Sequence, residues 1–172
     1  MCGIVGYVGP RQAASILMEG LKRMEYRGYD SAGIAVGNGD GLAGRKAAGK
    51  LGVLADELGD DAPTGTLGIG HTRWATHGAP TTPNAHPHVD QSGRIALIHN
   101  GIIENANDLR KALAARGHVF VSETDTEVLA HLIGALYEGN LEEAVAAALR
   151  DVDGAYGIAV ISMDEPDTLV AA

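Results

Sequence analysis

Apolar and polar residues follow one another along the chain with spacings that predict a mixture of strands and helices. Cys2 to Val8 is a short apolar run punctuated by glycine, as in a buried strand, and it ends at Gly9-Pro10. The apolar residues that come next recur every three or four positions, which is the spacing of one helix face. The chain therefore begins with a strand followed by a helix. The helix-face residues are Ala13, Ile16, Leu17, Gly20, Leu21 and Met24.

The rest of the pattern predicts further strands and helices and one long loop. Asn38-Gly39 favours the positive φ angles of a hairpin turn, and Thr124 with Glu127 fits the capping box that begins a helix. Residues 75–93 have no period and contain three prolines, which predicts a loop of the kind that often carries function. Hairpins and helices packed over sheets make the fold class α+β. Strands are predicted over 2–8, 32–37, 42–48, 66–74, 94–99, 118–122, 154–163 and 168–172, and helices over 13–24, 53–58, 107–116, 124–136 and 141–152.

Length and composition restrict the class of protein. The 172 residues favour a single domain, and a net charge of -9 makes nucleic acid an unexpected partner because both are negatively charged. Charges, glycine or proline interrupt every apolar stretch before it reaches the roughly 18 residues that span a bilayer, so no membrane association is expected. The N-terminus lacks the pattern of a secretory signal, which predicts a cytoplasmic protein. One cysteine allows neither an intrachain disulfide nor a multi-cysteine zinc site.

That single cysteine, Cys2, follows the initiator methionine. If Met1 is removed, Cys2 carries a nucleophilic sulfur and a free α-amine that can accept the proton of the thiol, since the ordinary pKa values are about 8.5 and about 7.7 to 8.0. While Met1 remains, the Cys2 nitrogen is an amide and this base is lost. The alternative from position alone is that Cys2 is a small buried residue at the start of a strand.

Other polar residues could complete a site for acyl transfer. Asn100-Gly101 ends a predicted strand with a side-chain amide and an unhindered backbone N–H, which suits an oxyanion hole, although a simple turn is the alternative. An amino-acid substrate would need a cation for its carboxylate and an anion for its ammonium group, and Arg73 and Asp125 are candidates. Arg73 could equally form a surface ion pair, and Asp125 could merely favour a helix N-terminus.

Six short segments, taken in their order along the chain, identify a protein family more specifically than any single motif does. Together they resemble the glutaminase domain of the class II, N-terminal-nucleophile glutamine amidotransferases, and the resemblance covers nearly the whole chain. It implies an α+β fold of the four-layer α/β/β/α sandwich type. The segments are 2–6 (CGIVG), 25–33 (EYRGYDSAG), 71–78 (HTRWATHG), 84–88 (NAHPH), 99–105 (HNGIIEN) and 122–127 (SETDTE).

The resemblance implies catalytic roles for three residues. Cys2 resembles the nucleophile of the family, with its own amine as the general base. Asn100 and Gly101 resemble the oxyanion hole. In the implied reaction the Cys2 sulfur attacks the side-chain amide of L-glutamine, ammonia leaves, and water hydrolyses the resulting thioester to glutamate. No cofactor is implied.

It also implies a set of substrate-binding residues. Arg73, helped by Thr76 and His77, resembles the clamp for the glutamine carboxylate, and Asp125 resembles the group that holds the α-ammonium. Trp74 would lie in the loop that closes over glutamine. Arg27 is expected to stabilise the segment that contains Cys2 without contacting the substrate. The alternative is that Arg27 forms an ordinary structural ion pair.

Two short motifs favour the sugar-phosphate branch of the family. Phosphoribosyl pyrophosphate amidotransferases, the alternative branch, would be expected to have His-Arg-Gly-Gln-Glu-Ser where residues 26–31 read Tyr-Arg-Gly-Tyr-Asp-Ser, and Arg-Tyr-Ser where residues 73–75 read Arg-Trp-Ala. The branch implies that ammonia aminates fructose 6-phosphate in a separate domain. Residues 1–172 are then expected to be a glutaminase domain truncated at its C-terminal end, with the sugar-phosphate isomerase domains absent.

Two other classes of function remain open from the sequence. A metal protein is conceivable because several histidines lie close together in the sequence, but no ligand spacing such as His-Glu-x-x-His occurs and no metal is expected. A glutamine-binding fragment without turnover is the other alternative. The histidines are His71, His77, His86, His88 and His99.

Overall fold

The structure is a computed structural model that describes residues 2–38, 40–74 and 79–172. None of the helices in these ranges is long and apolar enough to cross a membrane. A single 3₁₀ turn, Glu25–Arg27, follows the first helix. The remaining elements in chain order are β1 (Gly3–Val8), α1 (Ala13–Met24), β2 (Ser31–Gly37), β3 (Leu42–Ala48), α2 (Leu51–Leu58), β4 (Leu67–Arg73), β5 (His88–Val89), β6 (Ile95–Ile103), α3 (Ala106–Ala115), α4 (Asp125–Leu136), α5 (Leu141–Ala148), β7 (Gly154–Ser162) and β8 (Leu169–Ala171).

The strands form two four-stranded antiparallel sheets. The first sheet has the order β1-β4-β2-β3 and the second has the order β5-β6-β7-β8. Helices α1 and α2 pack on the first sheet, and α3, α4 and α5 pack on the second. A third apolar cluster, which contains Ile69 and Ile98, fills the space between the sheets. The layers are therefore α/β/β/α, as the resemblance implies.

Strand β6 shows how the sequence makes a strand that is buried on both faces. Ile95 and Leu97 pack against the helices, whereas Ala96 and Ile98 belong to the cluster between the sheets. Successive side chains of a strand point to opposite faces, so a strand between two apolar layers is apolar at every position. This explains why β6 begins with the uninterrupted apolar run of residues 95–98 rather than with an alternating pattern.

The N-terminus of α4 confirms half of the predicted capping box. Thr124 Oγ1 accepts a hydrogen bond from the Glu127 backbone N–H at 3.3 Å. The Glu127 carboxylate does not return to Thr124 but accepts the backbone N–H groups of Val121 and Ser122, each at 2.8 Å. The prediction of a strand over 118–122 is therefore wrong. The Val121 and Ser122 donors bond to a side chain, and Val119 N–H likewise bonds to the side chain of Gln91.

Several predicted boundaries also need correction. Asn100-Gly101 does not end a strand, because β6 continues to Ile103 and both residues stay in register with β7. The predicted loop over 75–93 contains the short strand β5, in which His88 pairs with Leu97 of β6. Helix α5 ends at Ala148, earlier than the predicted residue 152. The predicted turn residue Gly39 lies outside the described residues.

Gly33 on β2 lies very close to the segment before β5. A Cβ atom at Gly33 would lie 2.2 Å from the backbone oxygen of His86. We expect Gly33→Ala to lower the free energy of unfolding by roughly 1 to 3 kcal/mol, because the backbone would have to move. Urea unfolding followed by circular dichroism measures this.

Gly44→Ala on β3 is the matched control, since the nearest atom to its Cβ would be 3.8 Å away. We expect that variant to be as stable as the unsubstituted chain or slightly more stable. Equal stability of the Gly33 and Gly44 variants would contradict the close approach.

Candidate active site

A cavity of about 300 Å³ collects polar side chains from separate parts of the chain. It is lined by the residue before β1, by the end of β4, by β6 and by the start of α4. The lining residues are Cys2, Arg73, Trp74, His86, His99, Asn100, Gly101, Ile102, Thr124, Asp125 and Thr126.

Most of the residues singled out in the sequence meet in this cavity. Cys2, Asn100 and Gly101 line it together with Arg73, Trp74 and Asp125. Thr76 and His77, which are predicted to bind the substrate, lie outside the described residues. Arg27 is not among the lining residues, and its Nε donates to the Tyr26 hydroxyl at 3.0 Å.

The register of β1 on β4 brings Cys2 to the residue that follows β4. Gly3 is paired with Thr72, and the Gly3 N–H also donates to Thr72 Oγ1 at 3.2 Å. The Trp74 backbone N–H then donates to Cys2 Sγ at 3.3 Å, and the sulfur lies 3.7 Å from the Trp74 carbonyl oxygen. The backbone of the residue that follows the neighbouring strand therefore holds the sulfur at the cavity wall.

Arg73 and Trp74 contribute a buried cation and a half-exposed ring. Only 4% of Arg73 is exposed, and its Nη1 donates to the Ala79 carbonyl at 3.4 Å. A buried guanidinium that lines a cavity suits a carboxylate ligand, because it can donate two parallel hydrogen bonds. The Trp74 ring is 48% exposed and meets the edge of Tyr29 at a centroid distance of 5.3 Å. The two rings form an aromatic pair at the edge of the cavity.

Gly101 has a conformation that explains why glycine stands there. Its φ of +141° and its proximity to β7 both exclude a side chain, since a Cβ would lie 2.1 Å from the Ala155 backbone oxygen. Asn100 precedes it on the same strand, so a side-chain amide and a backbone N–H lie side by side at the cavity. Such donors can stabilise the oxyanion that forms during attack on an amide.

Asp125 is the first residue of α4 and is held by the end of β6. Its Oδ2 accepts the Ile103 backbone N–H at 3.0 Å, and its Oδ1 lies 3.9 Å from His99 Nδ1. The helix N-terminus favours a negative charge here. Arg73 and Asp125 thus give the same cavity one cationic and one anionic group.

Buried histidines lie next to the cavity, where His86 is a lining residue and contacts two further histidine rings. His71 stacks on His86 at a centroid distance of 4.3 Å, and His88 meets the edge of His86 at 5.1 Å. Burial is the main cause that lowers the pKa of His71 to about 3, and it also holds the pKa of His86 and His88 well below the ordinary value. The positive charge of Arg73 adds to the effect on all three. These rings are therefore neutral at physiological pH.

Sequence reasoning did not single out five residues that line the cavity. His86 and His99 entered only as possible metal ligands, and Thr124 only as a helix cap. Their signal was present, since all five lie in the three segments 84–88, 99–105 and 122–127 that carry the resemblance. The residues are His86, His99, Ile102, Thr124 and Thr126. In the described part of the chain, no three His, Cys, Asp or Glu side chains are arranged to hold a metal ion.

Comparison with known proteins decides the family. The model of the glutamine amidotransferase domain matches residues 71–172. The chain belongs to this family. The matched range contains Arg73, Asn100, Gly101 and Asp125, and alignments with longer relatives cover the whole chain, including Cys2.

Relatives of this amidotransferase domain are named for sugar-phosphate amination. The chain is 60% identical over all 172 residues to a glutamine--fructose-6-phosphate aminotransferase [isomerizing] of Thermus thermophilus, and 53% identical over 171 residues to the enzyme of that name from Thermococcus kodakarensis. It spans 28% of the length of these curated relatives.

A solved relative confirms the fold predicted for the amidotransferase domain. Glutamine phosphoribosylpyrophosphate amidotransferase from B. subtilis superposes with a TM-score of 0.81 at 30% identity, over 95% of this chain and 35% of that one. The predicted N-terminal-nucleophile sandwich and the membership of the class II amidotransferases are both confirmed.

The buried histidines predict a specific dependence of stability on pH. The folded chain holds the pKa of His71 at about 3, whereas an unfolded histidine titrates near 6.5. As pH falls from about 6.5 to 3, the unfolded chain binds a proton that the folded chain does not, so stability is lost in that window. We expect the loss between pH 7 and pH 5 to be about 2 kcal/mol smaller for His71→Gln than for the unsubstituted chain.

Urea unfolding of both proteins at each pH measures this difference. Between pH 7 and pH 8 the changes in stability of the two proteins should differ by no more than about 0.2 kcal/mol, because His71 is neutral in the folded chain and mostly neutral in the unfolded chain there. If the unsubstituted chain and His71→Gln lost the same stability between pH 7 and pH 5, His71 would not be held neutral by burial.

Proposed function

We propose that this chain is the glutaminase part of a glucosamine-6-phosphate synthase. It would hydrolyse the side-chain amide of L-glutamine and release ammonia for the amination of fructose 6-phosphate. The observation that carries the proposal is the single cavity in which the Cys2 sulfur, the Asn100 and Gly101 donors, the Arg73 guanidinium and the Asp125 carboxylate meet. The 60% identity to an isomerizing glutamine--fructose-6-phosphate aminotransferase supports this branch.

The chemistry begins at Cys2 once Met1 has been removed. The free α-amine takes the thiol proton, and the sulfur attacks the amide carbon of glutamine. The negative charge that develops on the amide oxygen is stabilised by the Asn100 side chain and the Gly101 N–H. Protonation of the amide nitrogen releases ammonia and leaves a thioester. Water then attacks the thioester carbon, which gives glutamate and restores the thiol.

Charge complementarity orients the substrate. Arg73 would bind the glutamine α-carboxylate and Asp125 the α-ammonium, which places the side-chain amide toward Cys2. Thr76 and His77 are proposed to help Arg73. Trp74 is proposed to cover bound glutamine, and its half-exposed position at the cavity supports this role. Support of the cysteine segment by Arg27 stays a prediction.

The released ammonia is proposed to react with its acceptor in another part of the enzyme. Fructose 6-phosphate is proposed to bind only to the sugar-phosphate domains of the complete enzyme, which agrees with the 28% coverage of the named relatives. The alternative branch, which uses phosphoribosyl pyrophosphate, has a solved member only 30% identical to this chain. The cytoplasmic location stays a prediction from the sequence.

Replacement of Cys2 tests the nucleophile. We expect Cys2→Ala to abolish glutamate release from glutamine, since Cys2 is the only cysteine of the chain and no other thiol can replace it. The readout is enzymatic detection of glutamate, together with intact mass to establish that Met1 is absent. A preparation that retains Met1 should be inactive, because its Cys2 nitrogen is an amide. Glutamate release by Met-free Cys2→Ala at the unsubstituted rate would refute the proposed function.

Asn100→Ala tests the oxyanion hole. We expect kcat for glutamate release to fall by roughly 10² to 10³, with little change in KM, because the lost hydrogen bond forms mainly in the transition state. Asn107→Ala on the exposed side of α3 is the control, and its kcat should be unchanged. A rise in KM without a fall in kcat would assign Asn100 to substrate binding instead.

A further inference from the structure

Three buried side chains behind Asp125 connect three separate segments of the chain. His86 comes from the segment before β5, His99 from β6, and Thr126 from the first turn of α4. Each is at most 5% exposed. Thr126 Oγ1 lies 3.1 Å from His86 Nε2 and 3.0 Å from His99 Nδ1, so one hydroxyl joins both rings. The mechanism proposed above gives these residues no role.

The hydrogen-bond partners determine where His86 carries its proton. His86 Nδ1 accepts the backbone N–H of His99 at 3.4 Å, so this nitrogen has no proton. A neutral imidazole with a bare Nδ1 carries its proton on Nε2. The Nε2–H therefore donates to Thr126 Oγ1, and the threonine oxygen acts as the acceptor of this bond.

Electrostatics then decides the direction of the Thr126 hydroxyl. Its single proton can go to His99 Nδ1 at 3.0 Å or to Asp125 Oδ1 at 3.4 Å. Asp125 Oδ1 also lies 3.9 Å from His99 Nδ1. A protonated Nδ1 would present an N–H to this carboxylate, whereas a bare Nδ1 would present a lone pair to it and be repelled. His99 thus donates to Thr126, and Thr126 donates to Asp125.

We propose that the Thr126 hydroxyl, oriented by His86 and His99, holds the Asp125 carboxylate in position for the α-ammonium group of glutamine. The three are positioning residues, and the inference rests on the proposed function. Thr126 anchors Oδ1, and the Ile103 N–H anchors Oδ2, so the carboxylate cannot rotate freely. The bridge would make the site selective for amides that carry an α-ammonium group.

Substitution of Thr126 separates this role from a purely structural one. Thr126→Val removes the hydroxyl at nearly constant shape, and Thr126→Ser restores it. The probes are glutamine and glutaramate, which has the same amide and carboxylate but no α-ammonium. Both are titrated by NMR into Met-free chain in a Cys2→Ala background, so that no amide is hydrolysed. We expect the valine variant to bind glutamine about tenfold or more weakly, as for a lost charge-assisted hydrogen bond, and glutaramate within twofold of the reference.

Each outcome decides the proposal. Recovery of glutamine affinity in the serine variant would support the hydroxyl as the acting group. An equal loss for both ligands would show a structural role and overturn the inference, as would unchanged glutamine affinity in the valine variant.

A second measurement does not depend on the ligand. Long-range ¹H–¹⁵N spectra of the free chain should show His86 protonated on Nε2, and protonation on Nδ1 would overturn the bridge. Failure of the reference chain to bind glutamine would overturn the proposed function and with it the role in selectivity, while these spectra would still decide whether the bridge exists.

Discussion

The packing of two antiparallel sheets face to face is the constraint on which the site depends. Residues at every second position of a strand share a face, and the face of β4 toward the second sheet reads Leu67, Ile69, His71 and Arg73. The space between the sheets therefore changes along one strand from an apolar core to a cation at the cavity. A slip of one residue in the pairing would turn this whole series toward α1.

The same packing explains the many buried histidines. Near the cavity, buried polar groups such as the Thr126 hydroxyl and the His99 backbone N–H need hydrogen-bond partners, and pure hydrocarbon would leave them unpartnered. Neutral imidazoles stack like other rings and still offer one donor and one acceptor. His86 uses both nitrogens in this way, toward the His99 backbone and Thr126. Burial lowers the pKa of His86, so its ring is neutral and adds no positive charge next to Arg73.

Close backbone approach is the second requirement of the architecture. Gly33 lets the carbonyl of His86 reach the first sheet, and Gly101 lets β6 lie against β7 at the cavity with a φ that other residues avoid. Gly101 combines this role with an N–H that is proposed to bind the oxyanion. One glycine thus serves sheet packing and chemistry together.

The sequence alone determined the kind and the order of most elements and the short motifs. The apolar periodicity located α1 and the hairpin strands, and the motif segments contained the cavity residues Cys2, Arg73, Asn100, Gly101 and Asp125. Local pattern also misled, since residues 118–122 have strand composition but bond to the side chains of Glu127 and Gln91. Only the tertiary structure decided which segments meet. The contacts of Cys2 with Trp74 and of Thr126 with His86 join residues far apart in the chain, and such contacts depend on sheet register and layer packing, which no local spacing encodes.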